Sequence, residues 1–119
     1  MTTAYSSRYL AFIRKLPCLI CHKKAVAAHV RYADALYGKR KTGAAEKPSD
    51  YWAIPLCDEH HTHGQEAQHN SGERVWWLRH KIDPLMIAGL LTIAYLNDDE
   101  SAASVVCYNA ETISKKYGY

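Results

Sequence analysis

Four potential metal ligands stand in two short pairs in this chain. Cys18 and Cys21 are separated by two residues, and so are Cys57 and His60. That spacing lets one tight turn direct two side chains at the same ion, and four protein ligands that fill every position are typical of structural zinc. The two pairs therefore predict a structural Zn²⁺ site that ties the segment between them into a closed unit. The remaining cysteine, Cys107, is predicted to lie in the core.

Two other interpretations of these cysteines stay open. In the first, they are unrelated buried thiols beside a surface histidine. In the second, Cys18 to His22 is a Cys-x-x-Cys-His motif for covalent attachment of a c-type haem, with Met86 or another histidine as distal ligand. Covalent haem attachment requires export of the protein, but the sequence is not expected to contain a signal peptide. The haem interpretation also leaves Cys57 and His60 unexplained. An absorption spectrum separates the alternatives, because a Soret band would exclude the zinc interpretation.

Histidines cluster around the second pair. His29 lies in the interval between the two pairs, and His61, His63 and His69 follow the second pair closely. An imidazole on a strand that faces imidazoles on a helix can hold one divalent ion and leave positions open for water and phosphate, as phosphodiester hydrolysis requires. A lone histidine on a strand is more often a packed or surface residue, and His63 is expected to be merely exposed. Two further histidines are interpreted as surface residues, His22 and His80.

Several short motifs follow one another between residues 18 and 84. They are Cys18-x-x-Cys21, Ala28-His29-Val30-Arg31, the run 47–57, His60-His61 through His69, the pair Trp76-Trp77 and the step Ile82-Asp83-Pro84. In this order they resemble the HNH (ββα-metal) nuclease motif, and in particular its phage Ref-like (recombination enhancement) group. The resemblance implies an α+β fold, with a small zinc-stapled ββα-metal core (β-hairpin plus helix) and flanking N-terminal and C-terminal helices.

The resemblance also implies an activity, the metal-dependent hydrolysis of DNA phosphodiester bonds. His29 takes the place of the histidine that activates water as general base, a task for which the ordinary histidine pKa of about 6.5 is suited. His61 and His69 then become ligands of a catalytic Mg²⁺ or Mn²⁺ ion, which stabilises negative charge on the phosphate and on the leaving oxygen. A protein partner such as a recombinase is compatible with this group, although no motif in the sequence indicates one.

The sequence departs from the HNH pattern at two positions. Ala28 stands where many relatives have an Asp or a His that helps to hold the ion, which predicts a low metal affinity. The middle position, normally Asn, falls among Asp50, Tyr51 and Trp52 without a clear counterpart. Asp50 is a candidate to hold the loop by hydrogen bonds. The alternative function is a non-catalytic zinc module that binds DNA or a partner protein.

Basic residues and tryptophans give weaker evidence for a nucleic-acid partner. Arg31, Lys39, Arg40 and Lys41 are predicted to lie along the phosphates on either side of the cleaved bond. A solvated loop that only keeps the protein soluble explains the same charges, and the formal net charge of +3 does not decide between the two interpretations. Unpaired bases can stack on tryptophans. Positions in a predicted strand and helix nevertheless favour core packing for Trp52, Trp76 and Trp77.

The first elements of the fold follow from caps and apolar patterning. Ser6 or Ser7 is expected to cap a first helix, which ends at Pro17. Residues 25–32 and 51–56 are predicted to form paired strands, joined by a long exposed loop rich in glycine and lysine. His29 therefore lies on a predicted strand, within the stretch of sequence between the two ligand pairs.

Helices are predicted after the strands. The first begins at Asp58 and is short or interrupted at Gly64. The second covers 73–81, and three of its residues are expected to face inward: Val75, Trp76 and Leu78.

A third helix of this region is predicted to begin at Asp83 as N-cap, with Pro84 in the first turn, and one more helix is predicted over 101–119. The third helix has an apolar stripe at positions i, i+3, i+4 and i+7 that it is expected to bury. The stripe consists of Ile87, Leu90, Leu91 and Ala94.

The length of the chain leaves room for one domain. We expect a single domain over 1–119, with the HNH core at 18–70 and a helical C-terminal extension at 72–119. The most apolar segment, 86–96, has about half of the roughly 20 residues that a membrane span requires. Because no signal peptide is expected either, we predict a cytoplasmic location, and the resemblance to the phage Ref-like group implies a bacterial or phage-infected cell.

Overall fold

The computed structural model describes residues 5–42, 48–70 and 72–119. In these ranges helices combine with one two-stranded antiparallel sheet, so the fold class is α+β, as predicted. The strands are β1 (Val26–His29) and β2 (Ala53–Leu56). The helices are α1 (Ser7–Arg14), α2 (Asp58–His69), α3 (Glu73–Arg79), α4 (Pro84–Leu96), α5 (Glu100–Tyr108) and α6 (Ala110–Lys116). Two short 3-10 turns, Ala35–Tyr37 and Asp50–Trp52, lie between the strands.

Helix α1 begins as its sequence predicts. The Ser6 hydroxyl accepts a hydrogen bond from the Tyr9 backbone N–H at 3.1 Å, which satisfies one of the amides left unpaired at a helix start. Tyr9 and Ile13, one turn apart, are both fully buried. The helix contacts both strands and α4, so its apolar face closes one side of the core.

The sheet brings the two ends of the long loop together. Val26 pairs with Leu56 and His29 pairs with Ala53, which places the last residue of β1 beside the first residue of β2. Ala28 is buried opposite Ile54, while His29 is only partly buried. Residues just before β2 therefore lie close to the side chain of His29, because the register leaves them next to the end of β1.

Helix α2 is continuous, whereas an interruption at Gly64 was expected. A glycine inside a helix costs about 1 kcal/mol relative to alanine, which tertiary packing readily offsets. Gly64 is buried, and a Cβ built on it would meet the Trp76 ring at 3.7 Å, an ordinary contact distance. The α2 helix contacts both strands and α3, and this packing keeps it in one piece.

The inward face of α3 differs from the prediction. Val75 and Leu78 are 50% and 49% exposed, whereas Trp77 is buried and Trp76 is half-buried. The physical reason is the buried carboxylate of Glu73, which is one turn from Trp77 and therefore on the same face. A charged residue in the first turn of a helix normally faces solvent. The apolar pattern therefore predicted the wrong buried face for α3.

Helix α4 carries the predicted cap. Asp83 Oδ1 accepts hydrogen bonds from the backbone N–H groups of Leu85 at 3.1 Å and Met86 at 3.3 Å, and Pro84 occupies the first turn. The predicted stripe is buried at three of its positions and half-buried at Leu90. The buried positions are Ile87, Leu91 and Ala94.

The C-terminal segment forms two helices instead of the single helix expected over 101–119. Asn109 ends α5 and precedes α6, and its side-chain amide donates to the Val105 carbonyl at 2.8 Å. This bond competes with continuation of the helix. Cys107 is fully buried, as predicted. Among the described residues, no helix has both the length and the apolarity to cross a bilayer.

Candidate functional site

Cys18, Cys21, Cys57 and His60 form a cluster whose ligand atoms all lie within 4.8 Å of one another. The Cys21 and Cys57 sulfurs are 3.5 Å apart, and His60 Nδ1 lies 3.2 Å from Cys57 Sγ and 3.8 Å from Cys18 Sγ. For a tetrahedral zinc ion with Zn–S bonds of about 2.3 Å, ligand sulfurs are expected about 3.8 Å apart. This Cys₃His cluster is close enough to bind a metal ion and is compatible with structural zinc, as the spacing predicted.

Local backbone geometry presents the cysteine ligands. The first turn closes through a hydrogen bond from the His22 N–H to the Cys18 carbonyl at 3.0 Å, and His22 adopts a left-handed φ of 64°. The Leu19 N–H in the same turn donates to the Pro55 carbonyl of β2 at 3.1 Å. Cys57 is the N-cap of α2, so His60 lies within the first turn of that helix. Both ligand pairs are thus anchored to β2.

The pKa shifts favour the metal-binding form at Cys18 and His60 and oppose it at Cys21. Burial raises the pKa of Cys18, but hydrogen bonds from the backbone, including the Ile20 N–H, outweigh it, so the pKa lies below the ordinary value of 9.0. Burial raises the pKa of Cys21 and lowers that of His60. A lowered histidine pKa favours the neutral imidazole, which is the form that binds metal.

His29 at the end of β1 is paired with Asp50. The His29 Nε2 lies 2.8 Å from Asp50 Oδ1, and the other carboxylate oxygen accepts a hydrogen bond from the Ser6 backbone N–H at 2.6 Å. The Asp50 side chain is 3% exposed and that of His29 is 18% exposed. A carboxylate that accepts from Nε2 fixes the tautomer of a neutral imidazole, so that Nδ1 carries the lone pair and can accept a proton.

Asp50 was expected only to hold the loop by hydrogen bonds, and its contact with His29 was not predicted. Asp50 does hold the loop, through Ser6, but it also orients the histidine. The only signal in the sequence was the position of Asp50 just before the predicted second strand. Because His29 pairs with Ala53, that position brings Asp50 to the end of β1.

A narrow cleft lies between the hairpin and α2 and α3, and its volume of about 10 Å³ is that of about one water molecule. It is lined by His29 and Ala28 from β1, by His61 and Gln68 from α2, and by Glu73 from α3. Gln68 Nε2 donates to the His29 carbonyl at 3.2 Å and to Glu73 Oε2 at 3.1 Å. The predicted histidines His29 and His61 therefore share one cleft.

Glu73 anchors the chain that leaves β1. Its Oε1 accepts hydrogen bonds from the backbone N–H groups of Arg31 at 3.0 Å and Tyr32 at 3.1 Å, 42 and 41 residues away. Burial raises the pKa of this carboxyl group, although the hydrogen bonds from Gln68, Arg31 and Tyr32 oppose the shift. No sequence pattern marked Glu73 or Gln68 as part of the site.

The other histidines differ in placement. His61 is half-buried, whereas His69, at the last position of α2, is exposed, and so is His63, as expected. His80 was expected at the surface but is half-buried, with its ring 4.5 Å from Trp76 and 5.7 Å from His60. Burial lowers the pKa of His80.

The cleft offers few additional metal ligands. Ala28, at the position where an Asp or His was sought, is 4% exposed and has no donor atom. Within 5–42, 48–70 and 72–119, the Cys₃His cluster is the one group of three or more His, Cys, Asp or Glu residues with metal-binding spacing. Of the two histidines predicted to bind a catalytic ion, His61 lines the cleft and His69 does not.

The predicted phosphate-binding residues divide into two kinds. Lys39 is 3% exposed, and its Nζ donates to the Arg31 carbonyl at 3.1 Å, so its placement does not support contact with a phosphate. Burial lowers the pKa of Lys39. Arg40 and Lys41 are exposed and Arg31 is half-buried. Lys47, part of the motif run, lies outside the described residues.

Fold and site together define a small α+β protein with a Cys₃His cluster beside a histidine-lined cleft. The family described as "Protein of unknown function (DUF968)" matches residues 1–94, which include the cluster and the whole cleft. The chain belongs to this family. No curated protein and no solved structure matches it.

Proposed function

We propose that this chain is a metal-dependent HNH endonuclease that hydrolyses DNA phosphodiester bonds. In this proposal β1, β2 and α2 form a ββα-metal core, and the Cys₃His cluster holds a structural zinc ion that fixes the hairpin against the helix. The observation that carries the proposal is the pair formed by His29 and Asp50, 2.8 Å apart at the edge of a cleft. A buried carboxylate that orients a partly exposed imidazole is the arrangement of a general base.

His29 acts as the general base in this mechanism. Its Nδ1 takes a proton from the attacking water, while Asp50 holds the ring through Nε2 and stabilises the positive charge that the ring acquires. Gln68 holds the backbone of the same residue through its carbonyl at 3.2 Å. Asp50 thus holds the His29 ring, and Gln68 of α2 holds the His29 main chain. Neither the ring nor the main chain needs to reorganise during proton transfer.

A divalent ion, Mg²⁺ or Mn²⁺, would supply stabilisation of negative charge on the phosphate and on the leaving oxygen. His61 lines the cleft and is the protein ligand best placed for it, and the resemblance to HNH nucleases adds His69. Because Ala28 contributes no ligand, we expect water and substrate oxygens to complete the coordination and the affinity for the free ion to be low.

DNA would be held mainly by charge. Arg40 and Lys41 are exposed, and Arg31 follows β1 directly, two residues after His29. Cations at these positions would contact phosphates without reading the sequence of the bases, so we expect little sequence preference. A protein partner such as a recombinase stays a prediction.

The decisive experiment is cleavage of supercoiled plasmid by zinc-loaded protein with Mg²⁺ or Mn²⁺. Substitution His29→Ala is expected to reduce the rate by about 10²–10⁴-fold, the usual contribution of a general base. The control is His63→Ala, which removes an exposed imidazole of α2 outside the cleft lining. Zinc content and circular dichroism must match in all three proteins. Equal cleavage by the His29 variant would exclude His29 as the base.

A second candidate function is a non-catalytic zinc module that binds DNA or a protein. The observation that favours it is the scarcity of ligands in the cleft, where Ala28 has no donor and His69 is exposed. This module predicts retention of plasmid in a gel-shift assay with no divalent-ion-dependent nicking. The nuclease proposal predicts nicking that chelation of Mg²⁺ stops while the protein stays folded.

A further inference from the structure

A second cavity, of about 590 Å³, shares no lining residue with the cleft of His29. Its walls come from the first metal-binding turn, from the connection between α3 and α4, and from the corner between α5 and α6. The volume is in the range of about 300–1,000 Å³ that is typical of small-ligand sites. Neither the proposed base nor the proposed metal ligands of the cleft line it.

The side chains around this cavity are of two complementary kinds. Arg79 and Lys81 supply permanent positive charge, against one carboxylate, Glu111. His22 and Tyr108 supply aromatic rings, whose centroids are 4.9 Å apart at an angle of 58°, and Tyr108 is 56% exposed. Exposed cations beside an exposed aromatic ring suit a ligand that has both a phosphate and a planar base.

Two cavity residues have backbone conformations that are unusual for residues with a Cβ. His22 has a φ of 64° and Lys81 a φ of 59°, both in the left-handed region. Within the described residues, Asp98 is the one other non-glycine residue with a positive φ. Both conformations have local causes, because His22 closes the first metal-binding turn and Lys81 follows the C-cap of α3, where the Ile82 N–H donates to the Trp77 carbonyl at 3.3 Å. These two tight turns place the side chains of His22 and Lys81 at the wall of the same cavity.

We propose that this cavity binds a nucleotide. The base packs against Tyr108 and His22, Arg79 and Lys81 bind the phosphate, and Glu111 accepts a hydrogen bond from the base or the sugar. The nucleotide is either a free mononucleotide or one unpaired unit of a single-stranded nucleic acid, since both present the same base and phosphate. This site goes beyond the proposed function, because it takes no part in hydrolysis and does not require that the cleft be catalytic.

The cavity is physically coupled to the Cys₃His cluster. Leu19 and Ile20, the two residues between Cys18 and Cys21, form part of its wall. Loss of the metal would release this turn, so we expect nucleotide binding to require the metal-loaded protein. His80 also lines the cavity.

The test is titration of the metal-loaded full chain with dAMP, deoxyadenosine, inorganic phosphate and a short oligodeoxyadenylate, without added divalent ions. Binding is followed by calorimetry and by the aromatic NMR signals. The cavity variant Arg79→Gln/Lys81→Gln is compared with Arg8→Gln/Arg14→Gln, which removes the same charge from exposed positions of α1. We expect about tenfold weaker nucleotide binding in the cavity variant only, from the loss of charge-assisted hydrogen bonds.

A second variant, Tyr108→Leu, tests the base-binding half. It is expected to weaken binding of dAMP by about tenfold and to leave binding of inorganic phosphate unchanged. Tighter binding of dAMP than of the oligonucleotide would identify the free nucleotide as the ligand, and the reverse order would identify single-stranded nucleic acid. Either order supports the site.

Three outcomes overturn it: no binding of any nucleotide probe, equal losses in the cavity variant and its charge-matched control, or phosphate binding as tight as that of dAMP. The result is independent of the nuclease proposal, since His29→Ala should reduce cleavage by about 10²–10⁴-fold and leave dAMP binding intact. Failure of cleavage with intact binding would reject the nuclease alone, and the converse would reject the nucleotide site alone.

Discussion

Asp50 Oδ1 lies 2.8 Å from His29 Nε2, and the same buried carboxylate accepts the Ser6 backbone N–H that precedes α1. One side chain therefore ties the end of β1 to the start of the first helix. Because the carboxylate is held at both oxygens, it cannot turn away from the imidazole, and the ring keeps one orientation. A histidine on a strand gains a defined tautomer from this contact, which is what distinguishes a candidate base from a packed residue.

Under the proposed nuclease function, Asp50→Asn is expected to reduce the kcat of DNA cleavage by about 10- to 100-fold, as loss of an orienting partner commonly does. The amide keeps the shape of the carboxylate but not the charge that stabilises the protonated ring. The measurement is single-turnover plasmid cleavage over a range of pH, with Asp98→Asn, an exposed turn residue, as control. An unchanged kcat with an unchanged pH profile would mean that Asp50 serves only to hold the loop.

The Cys₃His cluster predicts one tightly bound zinc ion per chain. Cys21→Ser is expected to lose the metal and to lower Tm strongly, because binding energy at a structural site is also folding energy. Cys107→Ser, which alters a buried cysteine outside the cluster, should keep the metal. Metal analysis and thermal unfolding are the measurements. An unchanged Tm after complete zinc removal by a chelator would contradict a structural role.

Zinc bound at the cluster would protect its three cysteines, whereas burial protects Cys107, and thiol chemistry can separate the two effects. Burial raises the pKa of Cys107 to about 12, so this thiol is both inaccessible and protonated at pH 8. In the zinc-loaded protein we expect none of the four thiols to react with an alkylating reagent. Partial removal of zinc under native conditions should expose three thiols, those of Cys18, Cys21 and Cys57, before Cys107 reacts. Mass spectrometry of the peptides identifies the order, and early labelling of Cys107 would contradict its place in the core.

Features that depend on local spacing were predictable from sequence. The two ligand pairs and the Asp83 cap each require only neighbouring residues, and the structure has all of them. The pattern of residues 25–32 is local too, and it correctly placed His29 in a strand. The proposed roles of His29, His61 and His69 came from a resemblance and await experiment.

Features that depend on contacts between distant segments were not predictable. Glu73 and Lys39 are charged residues in polar surroundings of the sequence, where patterning predicts exposure. Both are buried because each satisfies main-chain groups at the end of β1, Lys39 through the Arg31 carbonyl and Glu73 through the Arg31 and Tyr32 amides. Because Glu73 is buried, the face of α3 that it shares with Trp77 is the buried one, and Val75 is exposed.

Glu73→Leu is expected to destabilise the fold by about 1–3 kcal/mol near pH 5, since a side chain of similar size without an acceptor leaves buried donors unsatisfied. Those donors are the Gln68 amide and the Arg31 and Tyr32 N–H groups, which now bind the Glu73 carboxyl group. Glu66→Leu, at an exposed position of α2, is the control. Urea unfolding with zinc retained measures the difference, and a loss no larger than that of the control would contradict the hydrogen-bonding role.

The pH dependence of this difference has a definite sign. Burial raises the Glu73 pKa above its ordinary 4.5, so the folded state binds the proton more tightly than the unfolded state. The contribution is therefore complete below pH 4.5 and declines as pH rises towards the folded pKa. The stability gap between wild type and Glu73→Leu should narrow as pH rises from 4.5 towards the folded pKa. A gap that widens over this interval would show that the carboxyl group titrates in the opposite direction.

Substitutions of Lys39 and Lys41 should distinguish an effect on stability from an effect on the proposed DNA binding. Lys41→Gln removes an exposed cation and is expected to weaken binding uniformly across DNA sequences and to lower the slope of log K against log salt by about 1. Lys39→Met removes a buried ammonium that bonds the Arg31 carbonyl, so it should alter stability and leave the salt slope unchanged. Fluorescence anisotropy with a labelled duplex at several salt concentrations gives both slopes. Equal slopes for Lys41→Gln and wild type would remove this loop from the DNA-binding surface, because a cation that neutralises a phosphate must release a counterion.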